Sequence, residues 1–204
     1  MIRLDMPQGS QSWIEARLGL PTASQFHRIM TPKTMKPSGS APKYAHELAC
    51  ERIMGESLDP YLSEFMERGT DMENQAVAYF ELQRDIDCEV VGFCLSDDGK
   101  LGCSPDRLVG KDGGLEIKVP SAIVHAGYLF EPPTKYLCQI QGAMLVTGRA
   151  WWDFLSFNPS LPPVLVRYER DEKFIARLSE LLAEFCEKLD TTMTQMNTRY
   201  GVAK

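Results

Sequence analysis

The sequence predicts an α/β fold, with a mixed central β-sheet flanked by helices. Three observations lead there. Short strand patterns cluster over residues 88–119 and recur over 150–168. A helical stretch at 136–146 separates the two clusters and allows a parallel crossover, which should be right-handed. A long amphipathic helix closes the chain over 171–196, with Phe174, Ile175, Leu178, Leu181, Leu182, Phe185 and Leu189 on its apolar side.

The elements follow in order. Residues 10–18 form a short helix, capped by Ser10 or Ser12 and stopped by Gly19. A second helix runs over 22–30 after Pro21. Residues 31–42, TPKTMKPSGSAP, are a loop by composition; it carries Lys33 and Lys36, lacks an apolar anchor and is expected to be mobile. A helix over 43–54 brings Tyr44, Leu48 and Ile53 towards one face. The longest periodic stretch, 63–84, has an apolar stripe of Phe65, Met66, Ala76, Val77, Tyr79, Phe80 and Leu82, and it bears Glu73. Strands are expected at 88–95 and 100–109, turned at Asp97-Asp98-Gly99, and at 116–119. A loop with a helical turn fills 121–133. Two further strands lie at 150–157 and 164–168. Between them, Asn158-Pro159-Ser160 and Leu161-Pro162-Pro163 break the pattern. Trp151-Trp152-Asp153-Phe154 reads as core or interface rather than as a platform for stacking bases.

Composition bounds the class. The 204 residues suit one domain, residues 1–204, with a proper core. No apolar run approaches the roughly 20 residues needed to span a bilayer. Met1-Ile2-Arg3-Leu4-Asp5-Met6 lacks the apolar core of a secretory signal. The expectation is a cytoplasmic protein without a membrane partner. Cys50, Cys88, Cys94, Cys103, Cys138 and Cys186 form no C-x-x-C pair, which disfavours zinc and iron–sulfur clusters and points to buried thiols. A net charge of −6 argues against a protein that coats nucleic acid. It leaves room for a nuclease whose cations line one channel.

The chemistry concentrates in Cys103-Ser104-Pro105-Asp106 and Leu115-Glu116-Ile117-Lys118. Lys111-Asp112-Gly113-Gly114 between them is a turn signal, so the two segments form a hairpin. Leu115, Ile117 and Val119 mark its buried face, and Pro120 stops the second strand. Side chains alternate along a strand, so Glu116 and Lys118 share the opposite face. Two carboxylates are what a hard divalent cation needs from a protein, and a lysine beside them can orient or help deprotonate a water. That is the pattern of metal-dependent phosphodiester hydrolysis.

Further motifs extend it: Trp13-x-x-x-Arg17-Leu18-Gly19, Thr22-Ala23-Ser24, Gly69-x-x-x-Glu73-Asn74, Tyr136-x-x-Gln139-x-Gln141 and Glu169-Arg170-Asp171-Glu172-Lys173. In this order, over nearly the whole chain, they resemble the lambda-type (YqaJ-like) alkaline exonucleases of the PD-(D/E)xK nuclease superfamily. The resemblance implies a restriction-endonuclease-like core and a processive 5′→3′ exonuclease. Such an enzyme degrades the 5′-ended strand of linear duplex DNA to 5′-mononucleotides. The 3′ overhang it leaves passes to a single-strand annealing protein, and a homotrimeric ring surrounds the DNA. It implies Mg²⁺, two ions per active site, with Mn²⁺ as a substitute. Asp106, Glu116, Glu73 and the Ile117 carbonyl then serve as metal-site groups, Lys118 as the catalytic lysine, and Gln139 and Tyr136 as their neighbours. Arg17, Ser24 and Ser104, with Gln139 nearby, match positions around the terminal 5′-phosphate. Lys33 and Lys36 are candidate DNA contacts, and the neighbourhood of residues 62–66 is a candidate for splitting the duplex. Two other readings stay open: an endonuclease with the same core, and a catalytically inactive DNA-end-binding recombination adaptor.

Overall fold

The computed structural model describes residues 1–58 and 70–201. Among them the strands form two sheets. A small antiparallel sheet, in the order β1-β3-β4, contains β1 (Ile2–Leu4), β3 (Phe93–Leu95) and β4 (Gly102–Cys103). A five-stranded mixed sheet contains β2 (Cys88–Glu89), β5 (Arg107–Val109), β6 (Gly113–Lys118), β7 (Trp151–Asn158) and β8 (Leu161–Glu169), in the order β2-β5-β6-β7-β8. Its parallel pair is β6 with β7, joined through α4 (Ala122–Tyr128) and α5 (Leu137–Thr147). The expected crossover is therefore present, in the expected fold class. The remaining helices are α1 (Gln11–Arg17), α2 (Ala41–Met54), α3 (Thr70–Arg84) and α6 (Glu172–Tyr200). Among the described residues, no helix is long and apolar enough to cross a membrane.

Pleating divides the core between the two faces of the large sheet. Trp152 and Phe154 of β7 pack with α2, α5 and α6 in the larger cluster. Leu115, Ile117 and Leu155 pack with Ala76, Val77 and Phe80 of α3 in the smaller one. Glu116 pairs with Phe154 across β6 and β7, so it faces the α5 side, opposite Ile117. Val119 departs from the expected apolar set. It lies beyond the end of β6 and is 40% exposed.

Several expected elements are cut differently, each for a physical reason. The segment 88–95 splits at Gly92, where a Cβ would collide with the backbone of Leu4 and Met6. The segment 100–109 splits at Pro105, which has no N–H to give a ladder. Gly113 and Gly114 are not the turn; they open β6. A Cβ on either would run into the indoles of Trp151 and Trp152, so these glycines make room for rings. The turn lies just before them, with Gly110 at φ +52°. The second helix is a short 3₁₀ segment, Ala23–Arg28. The 31–42 loop does have an anchor: Met35 packs against the core, and its carbonyl accepts from Arg177 Nε at 3.3 Å.

Candidate active site

The chain passes from the small sheet to the large one through Ser104-Pro105-Asp106, between β4 and β5. This linker forms part of the wall of an open cleft of about 1450 Å³. Arg17, Ser24, Glu73, Ser104, Asp106, Glu116, Ile117, Lys118, Tyr136 and Gln139 all line the cleft. Lys33 and Lys36 do not; they stand exposed on the 31–42 loop. The 62–66 neighbourhood lies outside the described residues.

At the large-sheet end the acidic groups are tightly knit. Asp106 Oδ2 accepts from the Ile117 backbone N–H at 2.5 Å, which locks the carboxylate to β6. Burial and the neighbouring Glu116 hold the Asp106 carboxyl well above the usual carboxylate range, against the pull of Lys118 and the Ile117 N–H. Glu116 is buried, and its Oε1 accepts from Lys118 Nζ at 2.5 Å and from Gln139 Nε2 at 2.6 Å. Burial opposes the charge on Lys118, but Glu116 and Asp106 together outweigh it, and its pKa is raised. Lys118 is thus an ammonium with three N–H donors, one of them spent on Glu116. Its Nζ also lies 5.4 Å from the centre of the Tyr136 ring, which stacks on Phe154.

This donor set suits a hard divalent cation. Asp106, Glu116 and the Ile117 carbonyl offer oxygens only, and a buried acidic pair gains from a positive ion between its members. Among the described residues no three His, Cys, Asp or Glu side chains gather as a ligand cluster. Glu73 instead lies at the edge of the site, with Oε1 2.9 Å from Arg107 Nη1.

The other end is built around Ser104. Its Oγ accepts from Trp13 Nε1 at 3.0 Å and from Arg17 Nη1 at 2.9 Å. With both acceptor positions used, the hydroxyl proton is left to donate. Trp13 is buried and also donates to the Gly92 carbonyl at 3.1 Å, and the Arg17 guanidinium lies 4.3 Å from the Trp13 ring centre. The i, i+4 spacing on α1 places Trp13 and Arg17 on one face. A bridge between Thr22 and Gly102 ties the 3₁₀ segment to β4 and brings Ser24 to the same wall. One cation, two hydroxyls and an indole brace suit a phosphate monoester.

Sequence reasoning missed three contributors. Trp13 lay in a quoted motif without a role, although its spacing from Arg17 carried the signal. Lys135 lines the cleft, with Nζ 4.8 Å from the Tyr136 ring centre. Arg107 was unmarked because its partner, Glu73, is distant in sequence.

Comparisons with known proteins identify the family. Residues 12–150 match the model of the YqaJ-like viral recombinase domain. The alkaline exonuclease LHK-Exo from Laribacter hongkongensis is 30% identical; the match covers 94% of this chain and 98% of that one, with a TM-score of 0.83. LHK-Exo in complex with dAMP matches equally well. A phage-related exonuclease from Haemophilus somnus 129PT shares the fold at 16% identity, with a TM-score of 0.65 over 87% of this chain and 96% of that one. The uncharacterized protein ExoD of Escherichia coli K12 is 32% identical over 69 residues, which are 32% of this chain and 79% of ExoD. The chain therefore belongs to the YqaJ-like viral recombinase family, with the fold of a lambda-type alkaline exonuclease and the role of a nuclease in recombination.

Proposed function

We propose that the chain is a metal-dependent, processive 5′→3′ exonuclease of linear duplex DNA. It releases 5′-mononucleotides and leaves a 3′ overhang for a single-strand annealing protein. The observation that carries this reading is the spacing of the two ends of the cleft. Ser104 and Asp106 are two residues apart, a reach of at most about 7 Å. A terminal phosphate held at Ser104 thus has the next phosphodiester close to Asp106 and Glu116. Cutting there frees one nucleotide and creates a new 5′-phosphate for the next cycle.

The residues divide the work. Arg17 binds two phosphate oxygens, and Ser104 and Ser24 donate to the others. Gln139 holds Glu116 in place, and Lys118 directs an N–H at the attacking water or the phosphoryl oxygens. Tyr136 supports Lys118 from its ring face. Asp106, Glu116, Glu73 and the Ile117 carbonyl would hold Mg²⁺, two ions per site and replaceable by Mn²⁺, which would supply an activated water and charge stabilisation for the leaving oxygen. Lys33 and Lys36 reach the incoming duplex from the exposed loop. A cytoplasmic homotrimeric ring completes the proposal. The dAMP complex of LHK-Exo supports the product class, since dAMP is a deoxynucleoside monophosphate.

The test is strand-labelled digestion in Mg²⁺ of three substrates: linear duplex with 5′-phosphate, linear duplex with 5′-hydroxyl, and a covalently closed circle. The expected result is mononucleotides from the 5′-ended strand, fastest with 5′-phosphate. Cutting of the closed circle would replace this reading with an endonuclease, and binding of ends without hydrolysis would replace it with an adaptor.

A further inference from the structure

Arg107 has no part in the chemistry above, yet it holds one of the acidic groups. It opens β5 directly after Asp106, and its side chain is only 14% exposed. Its Nη1 donates to the Asp106 backbone carbonyl at 2.5 Å and to Glu73 Oε1 at 2.9 Å. The first bond fixes the guanidinium to the strand that presents Asp106. The second reaches across to α3. Glu73 is a residue of the cleft wall, so Arg107 holds a side chain that faces the site's space. Its bond is to Oε1.

Two physical effects follow. Glu73 sits near enough to Asp106 to add to the repulsion on that carboxyl. Without a fixed cation beside it, Glu73 would be pushed from the acidic pair and would sample several rotamers. A guanidinium is a planar fork of donors, so this restraint is directional. Carboxylates that serve a metal, directly or through its waters, depend on such partners for their aim. We propose that Arg107 is a positioning residue, which sets Glu73 for the second of two divalent cations. The inference rests on the metal-dependent reading and deepens it.

The experiment is Mn²⁺ binding to the DNA-free protein, followed by electron paramagnetic resonance of free Mn²⁺, with thermal melting in parallel. Wild type is expected to bind two ions. Arg107→Gln should weaken the looser site about 10- to 100-fold and leave the tighter site nearly unchanged. Arg107→Lys keeps the charge but not the fork, and should fall between, at about 3- to 10-fold. Glu73→Gln combined with Arg107→Gln should lose no more than Glu73→Gln alone. In turnover, Arg107→Gln should need more Mg²⁺ for half-maximal rate at unchanged KM for DNA. Unchanged or tighter Mn²⁺ binding in Arg107→Gln would overturn the proposal, and with a lowered Tm would leave Arg107 as a brace between α3 and β5. Additive losses in the double variant would also overturn it. If Arg107→Gln does not fold, Arg107→Lys decides: wild-type affinity at both sites refutes the role. Failure of the underlying reading looks different. There, wild type binds no Mn²⁺, or Asp106→Asn binds as wild type does.

Discussion

The two ends of the cleft are built by opposite means. The Ser104 end adjoins the small sheet, and Ser104 is held by an indole and one arginine, with Trp13 braced to the Gly92 carbonyl. Its groups are fixed by hydrogen bonds to one another and to the backbone. The Asp106 end belongs to the large sheet and packs like charges where burial penalises them. Its Glu116 gives one oxygen, Oε1, to both Lys118 and Gln139. It is held together electrostatically and gains from a cation. The difference teaches that the groups proposed for recognition and for cutting rest on separate scaffolds, joined by three residues. Each can therefore be damaged without the other.

The largest expected effect is at the cutting end. Asp106→Asn or Lys118→Ala should lower nucleotide release by about 10³-fold or more, while end binding by fluorescence anisotropy stays within a few-fold. Loss of binding in step with release would break the proposed division. Next, Arg17→Ala should slow digestion of 5′-phosphorylated ends by about 10- to 100-fold and of 5′-hydroxyl ends only slightly, since a charge-assisted bond is lost. Equal losses on both would remove Arg17 from phosphate recognition. Trp13→Phe keeps the ring under Arg17 but deletes the N–H that Ser104 accepts. We expect about a 5- to 10-fold loss confined to phosphorylated ends, read in the same assay.

The smallest effect concerns stability. The Asp106 carboxyl sits above its unfolded value, so its ionisation works against folding in the metal-free protein. The penalty is absent below the unfolded value, grows as pH rises towards the folded one, and is constant beyond. Asp106→Asn should therefore raise Tm by a few degrees, more at pH 8 than at pH 5. Scanning calorimetry at both pH values checks this, and a gain larger at pH 5 would contradict the assignment.

This contrast also explains what could be read from the chain. The cutting end was legible because a hairpin with period-2 alternation brings Asp106, Glu116 and Lys118 together locally. Gln139 and Tyr136 needed the resemblance to a family. The sheet switch at 104–106 was hidden, since β2 to β5 are two or three residues long and too short for periodicity. The strand β1 escaped because its partner β3 lies some ninety residues away. Gly113 and Gly114 were read as a turn because a glycine that supplies a positive φ and one that makes room for a ring look alike in sequence. His125, fully buried, likewise gave no signal; it bonds Ser156 Oγ at 2.7 Å and the Pro162 carbonyl at 2.9 Å, fastening α4 to the sheet.

The glycine–tryptophan contact has an optical consequence. The chain has three tryptophans, one in the cleft wall and two at the start of the strand that carries Glu116 and Lys118. Trp151 and Trp152 lie against the first two residues of β6, the strand that ends at Lys118. Trp13 lies under Arg17. Intrinsic emission therefore reports on the end-holding pocket through Trp13 and on the start of β6 through Trp151 and Trp152. Trp151→Phe and Trp13→Phe would separate the signal of the catalytic strand from that of the end-holding pocket, so that ion entry and DNA arrival can be timed independently without a label.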